Sequence, residues 1–284
     1  MPDICVVHLV RKKNGIEPFH NFIKSYLENS AGIDHELLIL YKGFTGKADI
    51  IPYENVLSDV PHSTMEITDR GFDLRSYFVA AEACRNKYCC FLNSFSVILD
   101  KDWLLKLYKH ISQPGVGLVG VTGSWGSMNH GLIIKTRAKS YISKLKRGLF
   151  KYPKKILISI YFPPFPNHHI RTNGFMIRCS TMQKIRRGIL LTKIQTYMLE
   201  SGRHGITRQV EEMGLKPLVV GRGGRGYEKD EWDISNTFWH GEQENLLISD
   251  NQTRKYDSGN LVWRQKQERF AWGETAEIFL NNKR

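Results

Sequence analysis

The chain of 284 residues is 41% hydrophobic and 11% aromatic and carries a formal net charge of +13. This length allows one substantial core, or one α/β domain with an appendage. The charge indicates an acidic partner such as nucleic acid, anionic lipid or a phosphorylated substrate. No apolar run reaches the roughly 18 residues that span a bilayer, since the longest, residues 156–162, ends at Pro163 and Pro164.

The N-terminus and the cysteines both indicate a cytoplasmic protein. Residues 1–10 lack the basic start and small-residue cleavage site of a signal peptide and read instead as a strand. The five cysteines show no C-x-x-C motif, and their odd number suits a reducing compartment. We therefore expect buried, reduced thiols at Cys5, Cys84, Cys89, Cys90 and Cys179.

Strands and helices alternate along the first half of the chain. Apolar runs predict strands at 4–10, 36–41, 88–92 and 117–121, and a short strand or loop at 50–55. Helical spacing predicts helices at 18–28, 73–85 and 103–111, the first with Phe19, Phe22, Ile23, Tyr26 and Leu27 on one face. This order predicts a parallel, doubly wound sheet of nucleotide-binding character.

A polar clip, residues 93–96, ends the strand at 88–92 abruptly. Open α/β sheets bind ligands at the carboxyl ends of their strands, so Asn93, Ser94 and Ser96 are candidate ligand contacts. Amides and hydroxyls are poor ligands for a hard divalent cation. We expect the clip to hydrogen-bond phosphate or ribose.

A literal Asp-x-Asp pattern follows the clip at Asp100 and Asp102. It falls beyond the end of the strand, where Asp100 is positioned to cap the helix at 103–111. We therefore interpret these two acids as structural.

The second half of the chain has a strand at 172–178, helices at 180–187 and 205–213, and a strand at 216–220. The tail from residue 221 reads as polar, aromatic and irregular.

A strongly basic segment, residues 135–155, contains nine cations and no acid. The apolar residues Tyr141, Ile142, Leu145, Leu149 and Phe150 recur within it at helical spacing. This pattern predicts a basic amphipathic helix that lies on an anionic membrane. The alternative is a solvated basic face or insertion.

Three stretches in this order resemble the GT-A glycosyltransferases of family 2, over residues 1–225. They are D-R-G-F-D-L-R-S-Y-F-V-A-A-E-A-C-R from Asp69, F-L-N-S-F-S-V-I-L-D-K-D-W-L from Phe91, and L-E-S-G-R-H-G-I-T-R-Q-V-E-E-M-G from Leu199. A later stretch, F-W-H-G-E-Q-E-N-L-L-I-S-D-N-Q-T, resembles bacterial polysaccharide and O-antigen transferases.

The resemblance implies a GT-A type, doubly wound and mainly parallel sheet, Rossmann-like, with helices on both faces and an irregular C-terminal extension. It divides the chain into a nucleotide-sugar half (1–127), the basic amphipathic insertion (135–165), an acceptor and catalytic half (166–225), and an extension packed on the domain (226–284).

The implied activity is an inverting hexosyl transfer in bacterial surface polysaccharide synthesis, such as lipopolysaccharide O-antigen. The donor would be a nucleotide-sugar, first of all a UDP-sugar, and the acceptor a membrane-associated glycan or lipid-linked acceptor. The protein would be cytoplasmic and peripheral on the inner face of the plasma membrane. In the resemblance, Asn-Ser-Phe-Ser replaces the family's Asp-x-Asp, so dependence on Mg²⁺ or Mn²⁺ stays open.

The resemblance also assigns roles to individual residues. Glu200, just before the helix at 205–213, is the candidate base that deprotonates the acceptor. The candidate nucleotide-sugar contacts are Asp69, Arg70, Asp73, Arg75, Asn93, Ser94, Ser96 and Trp125. The candidate acceptor or diphosphate contacts are Arg171, Asn173, Arg222, Arg225, Asp230, Asp233 and His240.

Each role has a structural alternative. Glu200 and Asp73 also suit helix capping, the arginines surface ion pairs, and Trp125 core packing. The glycine-rich loop at 221–226 could cradle a diphosphate or form a plain turn. His240 could complete a metal shell, bind acceptor or simply pack.

Two other functions fit parts of the sequence. The missing Asp-x-Asp suits a non-catalytic sugar- or polymer-binding relative of the glycosyltransferases. The charge alone suits a nucleic-acid-binding protein, but no such module is recognisable and the cations cluster in one amphipathic segment. We therefore expect no nucleic-acid partner.

Overall fold

The fold is taken from a computed structural model that describes residues 2–129, 156 and 158–273. The strands are β1 (Ile4–Arg11), β2 (Glu36–Lys42), β3 (Ser63–Ile67), β4 (Tyr88–Leu92), β5 (Val97–Ile98), β6 (Val116–Gly120), β7 (Gly123–Ser124), β8 (His169–Ile170), β9 (Gly174–Arg178), β10 (Lys216–Val220), β11 (Gly226–Tyr227) and β12 (Ile248–Ser249). The helices are α1 (Glu17–Glu28), α2 (Lys47–Val56), α3 (Asp73–Ala83), α4 (Trp103–Ile111), α5 (Cys179–Lys184), α6 (Lys193–Ser201), α7 (Ile206–Glu212), α8 (Asn251–Asp257) and α9 (Leu261–Trp272).

An eight-stranded, mainly parallel sheet forms the centre, in the order β11-β10-β6-β9-β4-β1-β2-β3. Strands β3, β2, β1 and β4 are parallel to one another, and β6 is parallel to β10. Strand β9 is antiparallel to both β4 and β6, and β11 to β10. The predicted doubly wound α/β architecture is confirmed.

Each face of the sheet has its own core because the central strands are apolar on both sides. On one face, Val6 of β1 packs with Phe22 of α1 and Trp103 of α4. On the other face, Val7 of β1 packs with Tyr77 of α3. Fully burying side chains of this size stabilises the fold by about 1.5–3 kcal/mol each.

Several local predictions were wrong. Residues 50–55 belong to helix α2 instead of a strand or loop, because Ile50 and Tyr53, one helical turn apart, are both buried in the core. Pro52 lies inside this helix. Leu27 is 64% exposed despite its position beside the apolar face of α1.

The C-terminal part of the described chain is also more regular than predicted. It forms α8 and α9, and β12 pairs with β5 directly after the clip. Trp232 and Trp272 are buried against the sheet. The polar, aromatic composition predicted an irregular tail. The aromatic side chains instead form a core through contacts with residues far away in the sequence, which composition does not reveal.

The start of α4 differs from the capping prediction. Asp102, not Asp100, stands at the N-cap, in a left-handed conformation and without a side-chain cap. The Asp100 carboxylate instead accepts a hydrogen bond from Lys106 Nζ (2.7 Å).

The predicted basic helix at 135–155 lies outside the described residues. Within the described part of the chain, no helix combines the length and the apolar character required to cross a membrane.

His8, at the centre of β1, is completely buried. Its ring stacks on Phe22 with the centroids 3.6 Å apart, and neither ring nitrogen has a partner among the described residues. Burial lowers the pKa of His8 from 6.5 to about 3, because a charged imidazolium would lose its hydration there.

We predict that His8 makes the fold sensitive to acid. Below pH 6.5 the unfolded chain binds a proton that the folded chain does not, so stability falls as the pH drops towards 3. From pH 7 to pH 5 the loss should be about 2 kcal/mol in the free energy of unfolding. Urea titrations should show it in wild type and in His20→Leu, which alters an exposed histidine. In His8→Leu the loss should be smaller by about 2 kcal/mol, while His168 and His169, whose pKa values are also lowered by burial, keep their own contribution. An unchanged pH dependence in His8→Leu would contradict the prediction.

Candidate functional site at the carboxyl ends of the strands

The clip is a fixed turn that is bonded internally. Asn93 Oδ1 accepts hydrogen bonds from the Phe95 N–H (2.9 Å) and from Ser96 Oγ (3.3 Å). The side chain thereby closes the turn, as asparagine does in an Asx turn. Asn93, Ser94 and Ser96 are all buried. The Asn93 amide oxygen is therefore already engaged within the protein.

Three consecutive residues between β8 and β9, named here the 171–173 bridge, join the clip to the rest of the site. The Asn173 carbonyl accepts from the Asn93 N–H (3.1 Å), and Asn173 Oδ1 accepts from Thr122 Oγ1 (2.6 Å). Arg171 Nη2 lies 3.7 Å from Asp250 Oδ2. The bridge thus brings the predicted residues Arg171 and Asn173 to the clip.

Glu200 contacts the same bridge. Its Oε1 accepts hydrogen bonds from the Thr172 N–H (2.8 Å) and from Thr172 Oγ1 (2.9 Å). Its Oε2 accepts none from the described residues, so one carboxylate oxygen stays available while the other is held in place.

Glu200 precedes the predicted helix, which is α7 (Ile206–Glu212), but it does not cap it, because the N-cap is Gly205. Glu200 lies in the last turn of α6, a helix that the sequence reasoning did not identify. A carboxylate at a helix C-terminus is disfavoured by the macrodipole. Helix capping therefore does not account for Glu200.

Three buried hydrogen-bond donors around the bridge have no partner among the described residues: Tyr77 Oη, Arg171 Nη1 and Asn173 Nδ2. Burial, and then the charges of Asp73 and Glu200, raise the pKa of Tyr77 well above 10, so its hydroxyl stays protonated. Each unmade buried hydrogen bond costs about 1–3 kcal/mol. Such donors indicate a place for a ligand or water that carries acceptor atoms.

Asp69, which follows β3, is paired with two cations, one at the end of β1 and one just after it. Arg11 Nε lies 2.9 Å from Asp69 Oδ1, and Lys13 Nζ lies 2.8 Å from Oδ2. The Arg11 hydrogen bond is the main cause that lowers the pKa of Asp69 to about 2. Asp69 is therefore charged but neutralised by the protein itself.

Buried Lys42, at the end of β2, holds the segment before α3. Its Nζ donates to the carbonyl oxygens of Arg70 (2.9 Å) and Thr68 (3.5 Å), and burial lowers its pKa. Burial raises the pKa of Asp73, the first residue of α3, and the charge of Glu200 adds to this effect. The positive charges of Arg11 and Lys42 partly offset it by favouring the ionised carboxylate.

The other two predicted residues in this segment differ in exposure. Arg70 is exposed, whereas Arg75 is partly buried. Gly71, between them, has φ +71°, and a Cβ there would collide with the Leu190 carbonyl oxygen. The turn therefore requires glycine, and it directs Asp73 and Arg75 into α3.

Asp250 closes the site from the C-terminal side, and the sequence reasoning missed it. It is 1% exposed, and its Oδ1 accepts hydrogen bonds from the N–H groups of Gln252 (2.9 Å) and Thr253 (2.8 Å) at the start of α8. Arg254 Nη1 then donates to the Phe95 carbonyl in the clip (3.1 Å).

The glycine-rich loop does not form a phosphate cradle. The N–H groups of residues 221–224 all donate within the protein, to Arg225, Asn245 and Gly221. Arg222 Nε binds the Leu246 carbonyl (3.0 Å), and Arg225 pairs with Glu231 (2.6 Å). The loop is the turn between β10 and β11.

The remaining predicted residues are engaged around the C-terminal segment. Trp125 donates from Nε1 to the Lys229 carbonyl (3.0 Å) and packs edge-on against Trp272. His240 Nδ1 lies 2.5 Å from the Asp233 carbonyl, and Asp233 Oδ1 is buried without a partner among the described residues. Asp230 is exposed.

The clip does not fit a hard divalent cation. Its side chains offer an amide and hydroxyls, and the amide oxygen already accepts two hydrogen bonds. Asp250 Oδ1 is used by two backbone N–H groups, and Glu200 Oε1 by Thr172. Among the described residues, no set of three carboxylates or histidines converges here.

Sequence reasoning missed three site residues, and two of them carry no recognisable motif in their own stretch of sequence. Thr172 is one threonine in a strand-like run, and Tyr77 reads as a core residue of α3. Asp250 carried a usable signal, since S-D-N-Q-T is an N-cap followed by a helix start. That signal predicts a helix but not its closeness to the clip.

We predict that Asp250 stabilises the C-terminal segment as a helix cap. Asp250→Asn should retain the cap and lose only the charge opposite Arg171, whereas Asp250→Ala loses both. The alanine variant should be less stable than the asparagine variant by about 1 kcal/mol in chemical denaturation. Asn260→Ala, which removes the cap of α9 away from the clip, is the control. Equal stability of the two Asp250 variants would contradict the prediction.

Comparison with known proteins identifies the fold. No protein-family model matches the chain, and no curated protein matches it. Among solved structures, the mannosyltransferase PcManGT from Pyrobaculum calidifontis, in complex with GDP-Man and Mn²⁺, is similar over 98% of this chain and 70% of that chain. The TM-score is 0.50 and the identity 10%.

Two structures of S. aureus TarS are similar over 42% of this chain. The first, of TarS 1-349, has a TM-score of 0.34 at 11% identity and is covered to 35%. The second, in complex with UDP-GlcNAc, has a TM-score of 0.32 at 13% identity and is covered to 34%. The whole-chain likeness to the mannosyltransferase is the one that shows a GT-A-like glycosyltransferase fold.

Proposed function

We propose that the protein is a glycosyltransferase that moves a sugar from a nucleotide-sugar to an acceptor hydroxyl. One observation carries this proposal: Glu200 is held by Thr172 at the carboxyl ends of the strands, beside buried donors that find no partner in the described part of the chain. Open α/β sheets bind nucleotides at this edge. The GT-A-like fold supports the same choice.

In this proposal Glu200 acts as the general base. Its free Oε2 takes the acceptor hydroxyl proton while the acceptor oxygen forms a bond to the anomeric carbon. The bond from that carbon to the diphosphate oxygen breaks, and the nucleoside diphosphate leaves. Attack opposite the leaving group inverts the anomeric configuration, as in the family 2 enzymes that the sequence resembles.

The leaving diphosphate requires positive charge or hydrogen-bond donors. Arg171 supports this role because its Nη1 is buried without a partner among the described residues, and Asn173 Nδ2 lies in the same bridge. The clip then positions the diphosphate through hydrogen bonds, with no step that depends on a metal. Asp73 and Arg75 are the proposed contacts to the nucleoside of a UDP-sugar.

A groove along α6 supports a lipid-linked acceptor. It has a volume of about 470 Å³ and is lined by Met198 and Leu199, which directly precede Glu200, by Ile160 and Tyr161, and by Arg203. Apolar surface with adjacent arginines suits an acceptor that has a lipid tail and a phosphate headgroup. Together with the basic segment 135–155, this favours a peripheral position on the cytoplasmic membrane face and a role in surface polysaccharide synthesis.

The second candidate is a non-catalytic sugar- or polymer-binding relative. The observation that favours it is the clip, whose amide oxygen is occupied where the resembled family has metal-binding carboxylates. Binding of nucleotide-sugar without turnover would support this candidate.

We predict that Glu200→Gln abolishes transfer but not donor binding. Removing the base should lower kcat by roughly 10²–10⁴-fold, with the unfolding midpoint and the Kd for nucleotide-sugar close to wild type. Turnover can be followed by release of nucleoside diphosphate from a panel of nucleotide-sugars. The control is Glu28→Gln, which alters an exposed glutamate at the end of α1. Turnover of Glu200→Gln at the wild-type rate would remove Glu200 from the mechanism.

We predict that transfer persists in EDTA. A metal that neutralises the leaving diphosphate supplies several kcal/mol, equivalent to more than about a hundredfold in rate. Because the clip does not fit such an ion, chelation should lower kcat/KM by less than about tenfold. Complete loss of turnover in EDTA, restored by Mn²⁺, would show that a metal site forms with the donor.

A further inference from the structure

A cluster of thiols lies at the opposite edge of the sheet from the candidate site. The sulfur atoms of Cys84, Cys89 and Cys179 all lie within 4.8 Å of one another, and the Cys89 and Cys179 sulfurs are 2.8 Å apart. Cys5 lies beside them on the neighbouring strand, in register with Cys89. Three of the five cysteines therefore meet at one place, with Cys5 next to them.

The four thiols come from four different elements. Cys5 is the second residue of β1 and pairs in register with Cys89, the second residue of β4. Cys84 is the residue that ends α3, and Cys179 begins α5 directly after β9. From Cys89 to the clip the strand runs about 13 Å, so the cluster is separate from the proposed donor site.

We propose that Cys5, Cys84, Cys89 and Cys179 bind a structural zinc ion. Three sulfurs already surround one point. Cys5, in register with Cys89 on the neighbouring strand, would complete the closed tetrahedral set in which zinc has no open position. Cys5, Cys89 and Cys179 are buried, and Cys84 is partly exposed and gives the ion a route of entry. Thiolate ligands select soft cations and disfavour Mg²⁺ or Mn²⁺.

The surroundings suit a zinc–thiolate centre. The Cys84 thiol donates a hydrogen bond to Asn86 Oδ1 (3.1 Å), and a bound zinc ion would take the place of that proton. Arg85 and Lys87, which flank Asn86, are exposed cations close to a centre whose four thiolates exceed the charge of zinc. Zinc–sulfur bonds of about 2.3 Å set the sulfurs about 3.8 Å apart, so Cys89 and Cys179 separate by about 1 Å on binding.

A simple pair of cysteines does not explain the cluster. A disulfide between Cys89 and Cys179 would use two sulfurs and leave Cys5 and Cys84 beside it. A zinc ion uses all four and ties β1, β4, α3 and the end of β9 together, so its binding free energy adds to the stability of the fold.

The test is the metal content of the full chain, purified without chelator under reducing conditions. We expect about one zinc per chain in wild type. We expect the same in Cys90→Ser, because Cys90 lies in the same strand but faces the other core. Cys84→Ser, at the partly exposed position, should bind zinc at least about tenfold more weakly. Equal zinc in wild type and Cys84→Ser would overturn the proposal.

Two further measurements on wild type keep the test decisive if Cys84→Ser fails to fold. A strong zinc chelator should lower the Tm, and Co²⁺ in place of zinc should give the intense visible bands of a tetrahedral thiolate site. Absence of both zinc and a cobalt spectrum would overturn the proposal. A native mass lower by two hydrogens, with a disulfide between Cys89 and Cys179, would also overturn the proposal.

Discussion

The antiparallel strand β9, inserted between β4 and β6, is the constraint on which the candidate site depends. Because β9 runs against its neighbours, its first residue, Gly174, pairs with Leu92 at the end of β4. The bridge at 171–173 therefore enters at the carboxyl edge of the sheet, beside the clip. A parallel strand in this position would begin at the opposite edge, and its first residues would lie far from Asn93 and Glu200.

Charge balance inside the site follows from this placement. Asp69 is neutralised by Arg11 and Lys13, and Asp250 faces Arg171. Within the part of the chain that the structure describes, Glu200 is held by a threonine and by no cation. The site therefore combines a positioned carboxylate with unpaired buried donors, an arrangement that suits a polar ligand with acceptor atoms more than it suits a bare metal ion.

The two edges of the sheet have different chemistry. The carboxyl edge collects polar residues from β4, the bridge, α6 and the segment at α8, and the C-terminal residues cover it through β12 and Arg254. The thiols lie at the amino edge, next to the first residues of β1 and β4. A centre that stabilises the amino edge would fix the strands whose other ends carry the candidate site.

The sequence by itself determined the alternation of strands and helices, and hence the mainly parallel sheet with helices on both faces, because apolar periodicity is a local property. It also predicted that the clip ends a buried strand, and it brought Glu200, Arg171 and Asn173 forward as site residues. Only the tertiary structure decided which of these meet. Thr172, Asp250 and Tyr77 join them through contacts between residues far apart in the chain, while the loop at 221–226 forms an ordinary turn. The convergence of Cys84, Cys89 and Cys179 was equally invisible in their spacing, since strand register and helix ends, not sequence distance, bring their sulfurs together.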